Sequence, residues 1–268
     1  MAEFVVATFN IHAGVDGWGR PFDVVASCEK LDADVLVLEE AWTPEGEEGI
    51  AASVAAALGY EAHQAHLSDA LLTGPPTTPG VGWGPRRGGT AETRRLRVAG
   101  AEELGRLPTI GAEGDTQKGE WGIALLSRLP VRRVEAVELG QLSRDRGKTR
   151  AVIVAEVTVG ASVVTVAGTH LAHFVHGSPI LVARLRQSLP HPSEPGVLLG
   201  DMNFWGPPLS LAFPGWRRAV RARTYPSWRA HSQIDHIFVT RAVQVVSGDS
   251  PALGNSDHRP LRATLAIA

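Results

Sequence analysis

Apolar residues gather along this chain into short runs separated by polar and turn-forming residues. Residues 3–10 form such a run, rich in β-formers, and predict a first strand ending at Asn10. A loop through Asp16, Gly17 and Gly19 follows, and Pro21 fits the first turn of a helix running to about Lys30. Residues 35–40, VLVLEE, have a buried-strand pattern with the acids at its C-terminal end. A second helix is predicted from about Pro44 to Leu58, stopped by Gly59. Later strands are predicted at 121–127, near 131–139, and at 149–159, 161–169, 197–200, 234–240 and 261–267, with a helix at about 179–189. A Pro-rich turn follows the 197–200 strand. Neighbouring strands between 121 and 169 point to antiparallel pairing, hence an α+β class rather than a parallel βαβ series.

The stretch at about 67–119 is different. It holds Gly74-Pro75-Pro76, Pro79-Gly80, Gly84-Pro85 and Gly88-Gly89, and reads as an irregular Gly/Pro/Arg-rich insertion. No internal repeat and no linker divides the chain, so the 268 residues are expected to form a single domain.

Composition narrows the class. With 44% hydrophobic and 20% charged residues the chain is neither disordered nor fibrous. A net charge of −2 argues against a general nucleic-acid coat. No apolar run approaches the ~20 residues of a membrane span. Residues 1–7 carry an acid and no basic segment, so they read as strand rather than as a signal peptide. Cys28 is the only cysteine, which excludes an intramolecular disulfide and makes the cytoplasm the expected location.

Polar residues recur at strand ends: Asn10 and His12, Glu40, His170, Asp201 and Asn203, Asp235 and His236, Asp257 and His258. Each type can bind a metal, move a proton or hold a phosphate. If the strand ends converge on one edge, these residues share a cleft.

Several stretches resemble a known family. They are residues 8–12 (TFNIH), 38–40 (LEE), 122–127 (GIALLS), 168–171 (GTHL), 200–203 (GDMN), 233–237 (QIDHI) and 256–261 (SDHRPL). In this order they resemble the endonuclease/exonuclease/phosphatase superfamily over nearly the whole chain, while 67–119 looks like an insertion. The resemblance implies a DNase I-like, four-layered α/β-sandwich of two packed, mostly antiparallel sheets flanked by helices. It implies a Mg²⁺-dependent hydrolase of phosphate esters, with Mn²⁺ as the other candidate ion and a phosphodiesterase as the leading activity. The chemistry suits these residue types: water attacks phosphorus in line, and a hard cation with few carboxylate ligands neutralises the phosphoryl charge.

By the same resemblance Glu40, Asn10 and Asp257 are expected at the metal. Asn10, His12, Asn203 and His170 are expected at the phosphate, although His12 stands where some relatives carry aspartate. The catalytic set is expected to be His170, Asp201, Asn203, Asp235 and His258, with Asp235 fixing the tautomer of His258. Glu39 alternates to the other face and is expected to be structural. His173 and His176 read as solvent-facing loop residues. Arg217, Arg218, Arg221, Arg223 and Arg229, interleaved with Trp216, Tyr225 and Trp228, make nucleic acid a candidate partner through Arg217–Arg229. The other reading of this stretch is a solvated loop with aromatic anchors. The expectation is a monomer; the competing readings are a DNA or RNA nuclease and a binding module that kept the fold without catalysis.

Overall fold

Alternation along the central strands sets the layers of the molecule. The computed structural model describes residues 1–73, 95–98, 117–145, 148–253 and 256–268. In chain order the elements begin with β1 (Ala2–Asn10), α1 (Val24–Leu31), β2 (Val35–Pro44), α2 (Ile50–Leu58), β3 (Glu61–Thr73), β4 (Arg95–Val98) and β5 (Gln117–Ser127). They continue with β6 (Val131–Gln141), β7 (Thr149–Val159), β8 (Ser162–His170), α3 (Ser178–Leu185), β9 (Gly196–Asp201) and α4 (Gly206–Ala212). The last are β10 (Trp216–Arg218), β11 (Asp235–Thr240), β12 (Gln244–Asp249) and β13 (Leu261–Ile267).

The strands form a seven-stranded sheet, β12-β13-β1-β2-β5-β3-β4, and a six-stranded sheet, β10-β11-β9-β8-β7-β6. Among the described pairings only β1–β2 and β8–β9 are parallel. In the first sheet Phe4, Val6, Val35 and Val37 enter the largest core cluster, which also takes Val164, Val166, Val197, Leu199, Ile237 and Val239 from the second sheet. The alternate residues Ala7, Phe9, Leu36 and Leu38 turn outward onto Val24, Cys28 and Leu31 of α1 and Ala51, Val54 and Ala55 of α2. The outward residues of the second sheet, Val152, Ala167, Leu198 and Phe238, meet Leu181, Val182 and Leu185 of α3 and Leu209 of α4. Period-two alternation thus yields helices, sheet, sheet, helices, the expected four layers. Gly168 is needed where β8 of one sheet faces β2 of the other, since a Cβ there would lie 2.6 Å from Val37 Cγ2.

Several boundaries differ from expectation. α1 starts at Val24 rather than in a turn at Pro21, because the Asp23 side chain accepts a 2.9 Å bond from the Ala26 N–H and caps the helix there. Residue 44 ends β2, and α2 begins only at Ile50, beyond two glycines; its stop at Gly59, with φ 72°, is as expected. The 67–119 stretch is not irregular throughout: β3 runs to residue 73, 95–98 is strand, and β5 begins at 117. Its remaining residues lie outside the described ones. The Pro-rich turn after β9 contains α4, whose prolines occupy the N-terminal turn where no amide donor is required. β3 and the edge strand β12 escaped the sequence pattern: β3 opens on the mixed run EAHQAH, with no long apolar stretch, and most of β12 is exposed.

Candidate active site

The alternation that sends valines between the sheets continues to the strand ends, where the inward residues become polar. Following Val197 and Leu199, the next inward position on β9 is Asp201; following Val239 and Ile237 backwards along β11, it is Asp235; following Val164 and Val166 on β8, it is His170. Register then sets them in a row. His170 pairs with Asp201 across the parallel β8–β9 ladder, and Asp201 with Asp235 across β9–β11. In the first sheet, Asn10 continues the inward face of β1 beyond Phe4, Val6 and Thr8 and lies in register with Glu39.

Two carboxylates in directly opposed positions repel each other. Both are buried, and His258 answers them. Its Nδ1 lies 3.1 and 3.0 Å from the two Asp235 oxygens, and its Nε2 is 3.9 Å from Asp201 Oδ2. Burial would lower the pKa of His258, but Asp235, Asp257 and Asp201 together hold it well above the ordinary value. Asp201 is pushed up to about 7 by burial and by Asp235, against the charge of His258 and bonds from Asn203 and Asn10. The Asn203 N–H donates to Asp201 Oδ1 at 2.8 Å, and Asn10 Nδ2 donates to Oδ2 at 3.1 Å. Asn203 Nδ2 is 3.0 Å from the Leu171 carbonyl and 3.1 Å from His170 Nε2. His170 Nε2 is 3.6 Å from Asp201 Oδ2, and burial followed by the charges of Arg150, His258 and Lys148 keeps its pKa well below the usual value.

On the opposite side stand Glu40, His12 and Asp257. Strict alternation would turn Glu40 outward with Leu36 and Leu38. Instead the β2–β5 register shifts between Glu39 and Ala41, and Glu40 takes the bulge position with φ 56°. The bulge turns its carboxylate back to Asn10, whose Nδ2 is 3.4 Å from Glu40 Oε1. Glu39 keeps the inward position, fully buried; Thr8 Oγ1 donates to it, and burial raises its pKa well above the carboxylate range. His12 and Asp257 pair with each other, Nδ1 to Oδ1 at 3.3 Å. Burial opposes this, but Asp257 and Glu40 raise His12 to about 9. Burial would likewise raise Asp257, yet the charges of His12 and His258 and bonds from His12 and Ser256 hold it at about 2.

Adjacent loops carry the terminal motif. Ser256 Oγ donates to the Asn10 carbonyl at 2.7 Å, and the Ser227 N–H donates to the Asp257 carbonyl at 2.7 Å. The Tyr225 ring lies 4.9 Å from that of His258. The segment 217–229 is therefore largely tied to the protein: Arg217 bonds the Val243 carbonyl, Arg218 bonds Gln233, and Trp228 meets Trp18 at 4.9 Å. Arg221, Arg223 and Arg229 face solvent. His173 and His176 are exposed, with rings 5.6 Å apart. His236, grouped by its sequence position with Asp235, points outward and bonds the Phe204 carbonyl at 2.9 Å. Sequence reasoning missed Asp145 and Arg150, a buried ion pair beside His170. The available signal was an arginine at the head of an otherwise apolar strand.

The family model described as Endonuclease/Exonuclease/phosphatase family matches residues 7–258. The chain belongs to this family. Members of the endonuclease/exonuclease/phosphatase family are hydrolases acting on phosphate esters. Similar structures include an endonuclease/exonuclease/phosphatase from Beutenbergia cavernae, at 22% identity and TM-score 0.63, covering 100% of this chain and 72% of that one. The human Nocturnin catalytic domain with bound sulfate anion is 16% identical with TM-score 0.63, covering 100% of this chain and 94% of its own. A mannosyl-6-phosphatase from Bacteroides thetaiotaomicron is 13% identical with TM-score 0.62, covering 98% and 100%. These likenesses show a shared fold. No curated protein matches the sequence. Among the described residues no helix is long and apolar enough to cross a membrane.

Family membership implies a divalent ion, and the donor chemistry can be tested. Glu40 has one long contact and is only partly buried, so its hard carboxylate oxygens remain open to a cation. Asp201, Asp235 and His258 also place ligand atoms within 4.8 Å of one another. There, however, His258 holds its proton against Asp235, and an ion would have to displace it. The Glu40 side fits a divalent ion better.

Proposed function

We propose that this protein is a divalent-metal-dependent hydrolase of phosphate esters, acting on diesters by in-line attack of water. The observation that supports it most is the buried row His170–Asp201–Asp235, with His258 bonded to Asp235 and reaching toward Asp201.

In this reading Asp201 accepts the proton of the attacking water. A carboxyl held at about 7 suits a base working near neutrality. His258, kept cationic and oriented by Asp235, places positive charge beside the developing negative charge. Asn203 and the neutral His170 donate to phosphoryl oxygens, and Asn10 spans Asp201 and Glu40. A bound Mg²⁺ or Mn²⁺, held by Glu40 with Asn10 and Asp257, would supply neutralisation of the phosphoryl charge. His12 is paired with Asp257, so its task is to orient that carboxylate rather than to reach the phosphate.

The test is hydrolysis of a panel of phosphodiesters, monoesters and nucleic acids with Mg²⁺, run beside Asp201→Ala. Diester hydrolysis that needs both the ion and Asp201 is expected. Turnover unchanged by EDTA, or equal in the variant, contradicts the reading.

A further inference from the structure

Arg150 is 4% exposed and has no task in the reaction proposed above. Its Nε lies 2.7 Å from Asp145 Oδ2, itself buried. Its Nη1 donates to the His170 carbonyl at 3.3 Å. The guanidinium lies over Trp121 at 5.0 Å, and the Trp121 ring is 5.1 Å from that of His170. One cation thus touches His170 through its main chain and, by way of an indole, through its ring.

Burying an arginine–carboxylate pair seldom stabilises a fold more than apolar residues of the same volume. A local task is therefore the better account of it. We propose that Arg150, fixed by Asp145 and laid over Trp121, is a positioning residue that seats the His170 ring at the phosphoryl side of the site as a neutral N–H donor. The proposal rests on the reading of His170 as a donor to phosphate.

The charged groups facing His170 are Arg150, Lys148 and His258, all cationic, and Asp201, whose Oδ2 is 3.6 Å from Nε2. Three positive charges and burial oppose an imidazolium; one carboxylate favours it. The ring nitrogens also differ. Nδ1 is buried without a hydrogen-bond partner. A bare nitrogen costs less there than an N–H would, because the neighbouring cations supply positive potential. The proton therefore sits on Nε2, the nitrogen facing Asn203 and Asp201. With Nε2 protonated, it and Asn203 Nδ2 are two donors facing each other at 3.1 Å, and a phosphoryl oxygen placed between them accepts from both, while Asn203 Nδ2 keeps its 3.0 Å bond to the Leu171 carbonyl. A charged His170 would instead pair with Asp201 and weaken it as a base.

The experiment is imidazole ¹⁵N NMR of His170 against pH, in the full chain, together with kinetics. In the wild type the ring is expected to stay neutral and Nε2-protonated well below the ordinary value of ~6.5. In Arg150→Met/Asp145→Asn, which leaves no unpaired buried charge, His170 is expected to titrate nearer ~6.5, with kcat lower by about tenfold and KM changed less than about threefold. Arg150→Lys, which keeps the positive charge, is expected to restore the neutral ring. A wild-type His170 titrating at the ordinary value overturns the proposal without any variant. So does a folded double variant whose His170 titration and kcat match the wild type. A wild-type protein that hydrolyses no phosphate ester, yet whose His170 responds as described, overturns the function and leaves the positioning role standing.

Discussion

At the end of the six-stranded sheet Asp201, Asp235 and His170 are each 3% exposed or less, whereas across the cleft the His12 and Asp257 side chains keep 29% and 17% of their surface. The buried side is built from residues already inward by alternation and set in register, and burial there raises Asp201 to about 7 and lowers His170, whereas across the cleft, against burial, pairing holds His12 up at about 9 and Asp257 down at about 2. The open side depends on a bulge and on backbone with positive φ at His12, Ala13 and Glu40. The difference matches the proposed division of labour. Proton transfer gains from desolvation, which tunes a carboxyl toward neutrality. A hard cation keeps waters and needs ligands that solvent can reach. Asp257 and His258 are consecutive residues, yet the first joins the open side through His12 and the second the buried side through Asp235.

Substitutions can break this comparison at either end. The largest effect is expected from Asp201→Asn, which removes the base and nearly preserves shape: kcat for a diester should fall by ~10³-fold or more with thermal unfolding little changed. A variant retaining a tenth of the activity would remove Asp201 from the reaction. Next, Asp235→Asn takes away the partner that fixes the charge and tautomer of His258, and kcat should drop by about 10²-fold in steady-state assays. On the open side, Glu40→Gln should raise the Mg²⁺ concentration needed for half-maximal rate by about tenfold, with a smaller loss at saturating ion. An unchanged metal requirement would move the ion elsewhere.

The smallest perturbation is pH. Asp201 must be ionised to act, and its folded pKa is raised to about 7. The kcat/KM profile should therefore climb about tenfold per unit below that point and level off above it. His258, held charged well above its ordinary pKa, should impose no loss just above neutrality. A profile already flat from pH 5 would separate Asp201 from the rate-limiting proton transfer.

Much of the site was legible because apolar strands end in polar residues, and their order matches a family pattern from Thr8–His12 to Ser256–Leu261. The four layers were legible only through that family resemblance, since Val35–Leu38 and Val197–Leu199 are apolar throughout and do not by themselves say which side faces the other sheet. Other features had no local signature. The run LEE does not announce a bulge, so Glu40 joining Asn10 depends on how β2 meets β5. The pairing of His12 with Asp257 joins opposite ends of the chain, and only packing brings them together; Arg150 and His170 lie on the adjacent strands β7 and β8, but their register sets the contact.

By itself the sequence determined where most of the apolar strands run and which chemical groups stand at their ends, because apolar content and residue order are local properties. The tertiary structure alone decided that Asp201 and Asp235 would oppose each other, that His258 would lie between their charges, and that burial with the nearby cations would hold the pKa of His170 low. Register, burial and electrostatic coupling depend on which strands become neighbours and on what covers them, and these are fixed only once the strands have paired and the two sheets have packed.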